Sequence, residues 1–187
     1  MVDRVVFTDV GPRDGLQNQP KILTVDERLS LIQAIAASGV LNIEVGSFVS
    51  PKAVPAMAGT DQLVAGLPTD DGIHYSALIP NRKGYELARD AGTRTVNMVL
   101  YASEGMAQKN VKMSIAEAEE ATRQILTMAA DDGVEVVAAI ATAFCCPFDG
   151  PTDPGVVRET VARFIDSGIE QLVLADTIGA ANPKEVR

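Results

Sequence analysis

The chain has 187 residues, 47% of them hydrophobic and 22% charged, with a formal net charge of −9 at pH 7. These values describe a globular chain long enough to bury a core, with one domain as the expectation. They give no support to a nucleic-acid partner, which needs a basic face, and no stretch approaches the roughly 18 to 20 unbroken apolar residues of a membrane span.

The N-terminus, MVDRVVFTDV, carries Asp3 and Arg4 and leads straight into a strand, so it does not read as a signal peptide. A first strand is expected over 4–10, ending where Gly11 and Pro12 interrupt the apolar run. Arg13 and Asp14 follow at once. A helix is expected over 24–38, opened by a capping box of Thr24 and Glu27 and stopped at Gly39. Then come a strand at 41–48, a helix at 60–67, a strand at 73–79, a helix at 82–91 and a strand at 95–101. The helix at 114–132 repeats the capping box with Ser114 and Glu117 and stops at Gly133. A strand at 134–142, a helix at 153–167 stopped at Gly168, and a strand at 170–175 complete the pattern. The strands are near-continuous Val, Ile, Leu and Ala, as strands covered on both faces should be. Adjacent Cys145 and Cys146 cannot form a disulfide framework, which points to a reduced, cytoplasmic protein.

Strand–helix alternation implies a parallel sheet, either open and doubly wound or closed as a (β/α)8 TIM barrel. Polar residues gather just past the strand ends: Arg13–Asp14, Glu44–Ser47, Pro80–Asn81, Ser103–Glu104, Thr142–Cys146 and Asp176–Thr177. That is where a barrel keeps its active site, so the expected fold is an α/β barrel with six of its eight βα units over 1–187.

Several of these residues suit chemistry. Asp14 offers a hard divalent cation an oxygen, and Arg13 suits a carboxylate, thioester oxygen or enolate; a plain barrel-end ion pair is the simpler reading. Glu44, flanked by Ile43 and Val45, needs a cation or a proton beside it. Gln17 can orient the pair or cap a turn, and Ser47 and Ser103 can face a substrate or cap a loop. Lys52 and Lys83, just after strands, would suit a Schiff-base aldolase. Cys146 reads as a buried small hydrophobe, and His74, the single histidine, as a strand-start residue that cannot build a multi-histidine metal site.

VGPRDGLQN (10–18) resembles the opening signature of the hydroxymethylglutaryl-CoA lyases, barrel metallolyases whose first strand ends in Arg-Asp-Gly. The resemblance continues through IEVGSFVSPKAVPAM (43–57), LIPNRKGYELA (78–88), ASEGMAQKNVKMSIAEA (102–118), CCPFDG (145–150) and LADTIGAANP (174–183). Related synthases that condense acetyl-CoA with 2-oxo acids usually read Leu-Arg-Asp-Gly-x-Gln, so Gly11–Pro12 favours the lyases. The resemblance implies cleavage of 3-hydroxy-3-methylglutaryl-CoA or a close analogue to acetyl-CoA and acetoacetate, with Mg or Mn as cofactor and a homo-oligomeric assembly. It implies Asp14 as metal ligand, Arg13, Glu44 and Asp176 as catalytic residues, and Gln17, Ser47, Ser103 and Thr177 beside the substrate. The family's His-x-His-Asp stretch, its late Asn and its catalytic Cys on a Gly-rich loop are not in this sequence, and Gln19–Pro20 stands where many members carry a lysine that holds CoA. Residues 1–187 alone are therefore expected not to catalyse the cleavage. A condensing synthase or an inactive half-barrel that mediates interactions are the alternatives.

Overall fold

Strand and helix alternate along both of the units into which the chain divides, residues 1–96 and 97–187. The computed structural model describes residues 5–186.

In the first unit, β1 (Thr8–Asp9), β2 (Asn42–Ser47) and β3 (His74–Leu78) pair in parallel and in chain order. Helices α1 (Val25–Ala37), α2 (Thr60–Ala65) and α3 (Arg82–Asp90) connect them onward, the last leading to β4 (Thr95–Tyr101). The predicted capping box opens α1: Thr24 Oγ1 accepts the Glu27 N–H, and the Glu27 carboxylate accepts the Thr24 N–H. The bond from the Thr24 N–H, and after it the Lys21 ammonium, hold the Glu27 carboxyl below the usual carboxylate range. Ile32 of α1 packs with Ile43 and Val45 of β2 and Leu63 of α2 in a buried cluster. Each such side chain contributes about 1.5–3 kcal/mol by leaving water.

The first strand is shorter than the expected 4–10. Its ladder covers only Thr8↔Asn42 and Asp9↔Ile43, while Val5, Val6 and Phe7 are exposed and Arg4 lies outside the described residues. Strand-forming residues need a neighbour to pair with, and none reaches these three among the described residues. Gly11–Gly15 then forms a single π turn in which the N–H groups of Arg13, Asp14 and Gly15 all donate to the Val10 carbonyl. That turn, rather than an irregular loop, presents the Arg-Asp pair.

β2 carries a bulge. Glu44 pairs with Ser76 but Gly46 pairs with Ala77, so one extra residue sits on β2. Ile43 and Val45 face the helices, and after the bulge Gly46 faces them too. A Cβ on Gly46 would lie 2.7 Å from Arg28 Nη2 and 2.9 Å from Thr60 Oγ1, so only glycine admits the guanidinium there. The pleat then returns Ser47 to the face of Glu44. Arg28, 1% exposed, clamps the bulge: Nη1 donates to Ala58 O, and Nη2 to Val45 O and Thr60 Oγ1. Burial lowers the pKa of this guanidinium from its ordinary value.

In the second unit the strand order is β4, β5 (Glu135–Ala141), then β8 (Gln171–Leu174), with β5 and β8 parallel. Two elements here escaped the sequence pattern: helix α4 (Glu104–Val111) and an antiparallel hairpin of β6 (Cys145–Cys146) and β7 (Gly150–Pro151). The two-residue strands are too short for any periodicity to register. Helix α5 (Ile115–Asp132) starts at the predicted Ser114–Glu117 box and ends at Gly133, whose φ of +69° disfavours other residues. Helix α6 (Pro154–Asp166) starts at Asp153, whose side chain accepts the Gly155 N–H. The carboxylate of Glu119 on α5 accepts from Arg123 and from Arg163 of α6, tying the two helices. Val173 and Leu174 of β8 are about half exposed, unlike the doubly covered strand expected, because no strand pairs with the far edge of β8 among the described residues.

Within each unit the strands lie in chain order with no reversal, the topology of a barrel rather than of a doubly wound sheet with its switch point.

Gly46→Ala should destabilise the protein by about 1–3 kcal/mol, because the added methyl collides with Arg28. In an Arg28→Met background the same change should cost less, since the obstructing guanidinium is gone. Urea unfolding of the four variants measures this; equal costs in both backgrounds would refute the clamp.

Candidate active site

Four predicted site residues meet in the first unit. Glu44, 5% exposed, sits on β2 with its carboxylate accepting from Arg13 Nε. Arg13 Nη1 donates to Asp14 Oδ1 at 2.8 Å, and Gln17 Nε2 donates to the same oxygen at 2.8 Å. The guanidinium is therefore fixed on two edges by two carboxylates, and Nη2 has no partner among the described residues. Asp14 Oδ2 likewise accepts no bond from a described residue, and this side chain is 56% exposed. Ser47 is buried, and its hydroxyl has no hydrogen-bond partner among the described residues. So a cationic edge and a carboxylate oxygen remain available, both held by a π turn at the end of β1.

The second unit gathers Ser103, Cys146 and Asp149. Ser103 N-caps α4, its Oγ accepting the Met106 N–H, and lies 2.6 Å from Asp149 Oδ2 and 2.9 Å from Cys146 Sγ. A hydroxyl has one proton, and a carboxylate can only accept. Ser103 thus donates to Asp149, and the Cys146 thiol fills the remaining place on Ser103 Oγ. The bond from Ser103, with the Gly105 N–H on the same oxygen, holds the Asp149 carboxyl below the usual carboxylate range. Cys146 is 2% exposed, as expected for a small buried residue, and its Sγ accepts the Phe148 N–H.

Asp176 and Thr177 also lie in this unit, and both are engaged with backbone. Asp176 takes the N–H groups of Ala180 and Ala181 on its two oxygens, closing the turn after β8. Thr177 Oγ1 accepts the Thr142 N–H. Thr142 is a fully buried β-branched residue at φ +57°, a strained conformation of the kind found at functional sites. Its carbonyl accepts from Thr152 Oγ1 at 2.6 Å. Sequence reasoning placed Thr142 past the end of its strand without giving it a role, and it did not single out Asp149 or Arg28; Asp149 had a signal as the acid of the quoted CCPFDG segment.

Among the described residues no group of three or more His, Cys, Asp or Glu side chains is placed to hold a metal. Asp14 offers one oxygen, which by itself does not make a cation site. No helix of the described residues is long and apolar enough to cross a membrane. Lys52, Lys83 and His74 join neither cluster: Lys83 pairs with Glu86, and His74 opens β3.

This strand order, with Arg13 and Asp14 past the first strand meeting Glu44 on the second, is that of a protein of the α/β barrel class. The HMGL-like family pattern matches residues 4–187, and the chain belongs to that family. It is 42% identical over 99% of its length to the (R)-citramalyl-CoA lyase of Chloroflexus aurantiacus, covering 62% of that protein. It is 41% identical over 95% of its length to the hydroxymethylglutaryl-CoA lyase of Pseudomonas mevalonii, covering 59% of that protein. The structure of an HMG-CoA lyase from Acinetobacter baumannii in complex with coenzyme A and 3-methylmalate superposes on 96% of this chain with a TM-score of 0.91 at 35% identity, and the chain covers 58% of it. The chain thus spans about 60% of the length of the relatives it matches, and supplies six strand positions of the TIM-barrel fold.

Ser103→Ala should cost about 1–2 kcal/mol, through loss of the α4 cap and the bond to Asp149. Because the Asp149 pKa is lowered in the fold, its stabilising contribution is complete above the ordinary carboxylate range and is lost as pH falls through the lowered value. The variant should therefore lose part of the acid limb of the stability–pH curve. Unfolding midpoints measured from pH 7 to pH 3 check this; superimposable acid limbs would contradict the assignment.

Proposed function

We propose that the protein carrying this chain is an acyl-CoA lyase that splits 3-hydroxy-3-methylglutaryl-CoA, or a close 3-hydroxyacyl-CoA, into acetyl-CoA and a 3-oxo acid. The observation that carries the reading is the Arg13 guanidinium, fixed on two edges by Glu44 and Asp14 with Nη2 left open. In this cleavage the substrate hydroxyl loses its proton and the carbon–carbon bond breaks. The electron pair passes to the thioester oxygen as an enolate, and a proton then returns to carbon. Charge on that oxygen develops only towards the transition state, and a cation already held in place stabilises it without reorganisation.

In this scheme Arg13 Nη2 donates to the thioester oxygen, and Glu44 is the positioning residue that fixes Arg13. Gln17 orients Asp14. Ser47 is assigned to substrate contact, its hydroxyl being without a described partner, whereas Ser103, whose hydroxyl is taken up by Asp149, Met106 and Cys146, is assigned the support of the loop that carries it. Asp176 is assigned to proton exchange: its backbone bonds leave lone pairs on both oxygens, and Thr177 stands beside it. A bound Mg or Mn would acidify the substrate hydroxyl, and Asp14 Oδ2 is the oxygen this chain would offer it. The (R)-citramalyl-CoA lyase relative supports a second substrate, with the same tertiary hydroxyl β to the thioester, whose cleavage would leave acetyl-CoA and a 2-oxo acid in place of the 3-oxo acid.

The intact protein should release acetyl-CoA from 3-hydroxy-3-methylglutaryl-CoA or from (R)-citramalyl-CoA, and the ratio of the two kcat/KM values assigns the acyl chain. Arg13→Gln should lower kcat by about 10²- to 10³-fold while KM changes little. Asp14→Ala should raise the Mg or Mn concentration needed for half-maximal activity. A protein inert towards both esters, or an Arg13→Gln variant with wild-type kcat, would overturn the reading.

A further inference from the structure

The first unit contains a cavity of about 430 Å³ at the amino-terminal ends of β3 and β4, away from the strand ends that carry Arg13 and Ser47. We propose that it binds a small organic anion: a single carboxylate on a compact apolar body. Nothing in the lyase reading calls for this site, and the inference does not depend on that reading.

Val64, Leu67 and Ile73 give the cavity apolar lining, and Thr93, Arg94 and His74 give it polar groups. Arg94 is exposed and has no ion-pair or hydrogen-bond partner among the described residues, whereas Arg13, Arg82, Arg89, Arg123 and Arg163 are each held by a carboxylate. Thr93 is 6% exposed, and its hydroxyl is one of the few buried polar groups without a partner. Buried hydroxyls are nearly always paired, so a wall with a missing acceptor next to a free guanidinium is short of the same chemical group twice. A carboxylate provides it.

The wall is built in advance. Asp71 Oδ2 accepts from Tyr75 O–H at 2.7 Å and Oδ1 accepts the Ile73 N–H at 3.0 Å, which pins the segment before β3 onto the strand. The bond to Asp71, after the larger effect of burial, pushes the Tyr75 phenol well above its ordinary pKa, so it stays a donor at any ordinary pH. Asp70 also lines the cavity and is unpaired among the described residues, which disfavours a ligand with a second negative charge. By volume, a cavity of ~150 Å³ takes benzene, so this one takes about 15 non-hydrogen atoms, far fewer than an acyl-CoA. The ligand class is a free monocarboxylic acid with an aromatic or branched aliphatic body.

4-Phenylbutyrate is a suitable probe, with 4-phenylbutanamide as its uncharged counterpart, titrated by calorimetry into the intact protein. One saturable site is expected in the millimolar range or tighter, with the amide at least about tenfold weaker. Arg94→Gln should weaken the acid about tenfold and leave the unfolding midpoint unchanged, since Arg94 has no described partner to lose. Thr93→Val should weaken it about threefold without loss of stability, since the hydroxyl it removes has no bond. Arg13→Gln should leave binding unchanged. Absence of saturable binding up to about 10 mM, equal binding of the amide, or insensitivity to Arg94→Gln would overturn the proposal. Loss of binding in Arg13→Gln would place the probe at the catalytic mouth and overturn it equally.

Discussion

A carboxylate in the middle of a buried strand must have a cation beside it, and Glu44 on β2 sets that demand. The first unit is arranged around the answer. β1 ends after two residues, a π turn wraps three N–H groups onto the Val10 carbonyl, and Arg13 is delivered to Glu44 with Asp14 alongside. Once the pair forms, each partner holds the other in place: loss of Arg13 takes away the guanidinium that Glu44 meets, and loss of Glu44 frees that guanidinium to collapse onto Asp14. The ion pair is thus a fixed support for the unengaged nitrogen that the proposed chemistry uses.

The bulge in β2 is the second constraint, and it depends on a different arginine. A regular strand would turn Glu44 and Ser47 to opposite faces; one extra residue puts both on the same face. The extra carbonyl and the missing Cβ at Gly46 leave room on the helix side, and Arg28 occupies it with donors to Val45, Ala58 and Thr60. Arginine suits this place because its rigid fork reaches several acceptors at once. A buried guanidinium on a helix is costly in isolation, and here the carbonyls of the bulge and the following loop offset it.

What the sequence revealed follows from which forces act locally. Helices α1 and α5 were legible to within a residue because each carries its own reciprocal cap, Thr24 with Glu27 and Ser114 with Glu117. That Glu44 needs a cation or a proton was legible from its place between Ile43 and Val45; that its partner is Arg13, thirty-one residues away, is a tertiary contact. The length of β1 was not, since Val5, Val6 and Phe7 have strand character but no described neighbour to pair with. Arg28 looked like an ordinary helix residue, its burial being decided by a bulge on another element. Asp149 and Thr142 draw their roles from partners far along the chain, which no local pattern announces.

The bond between Ser103 and Asp149 also has a kinetic side. Asp149 sits in the turn between β6 and β7, yet its Oδ2 takes both the Ser103 hydroxyl and the Gly105 N–H at the start of α4. Two surface segments more than forty residues apart in sequence are therefore joined at one oxygen. Neither can swing outward alone without breaking both bonds, which leaves two donors at the start of α4 and the carboxylate of the hairpin without partners, so they should open as one cooperative unit rather than as two independent loops. Any ligand that touches the hairpin would then slow the fraying of α4, at amides it never contacts.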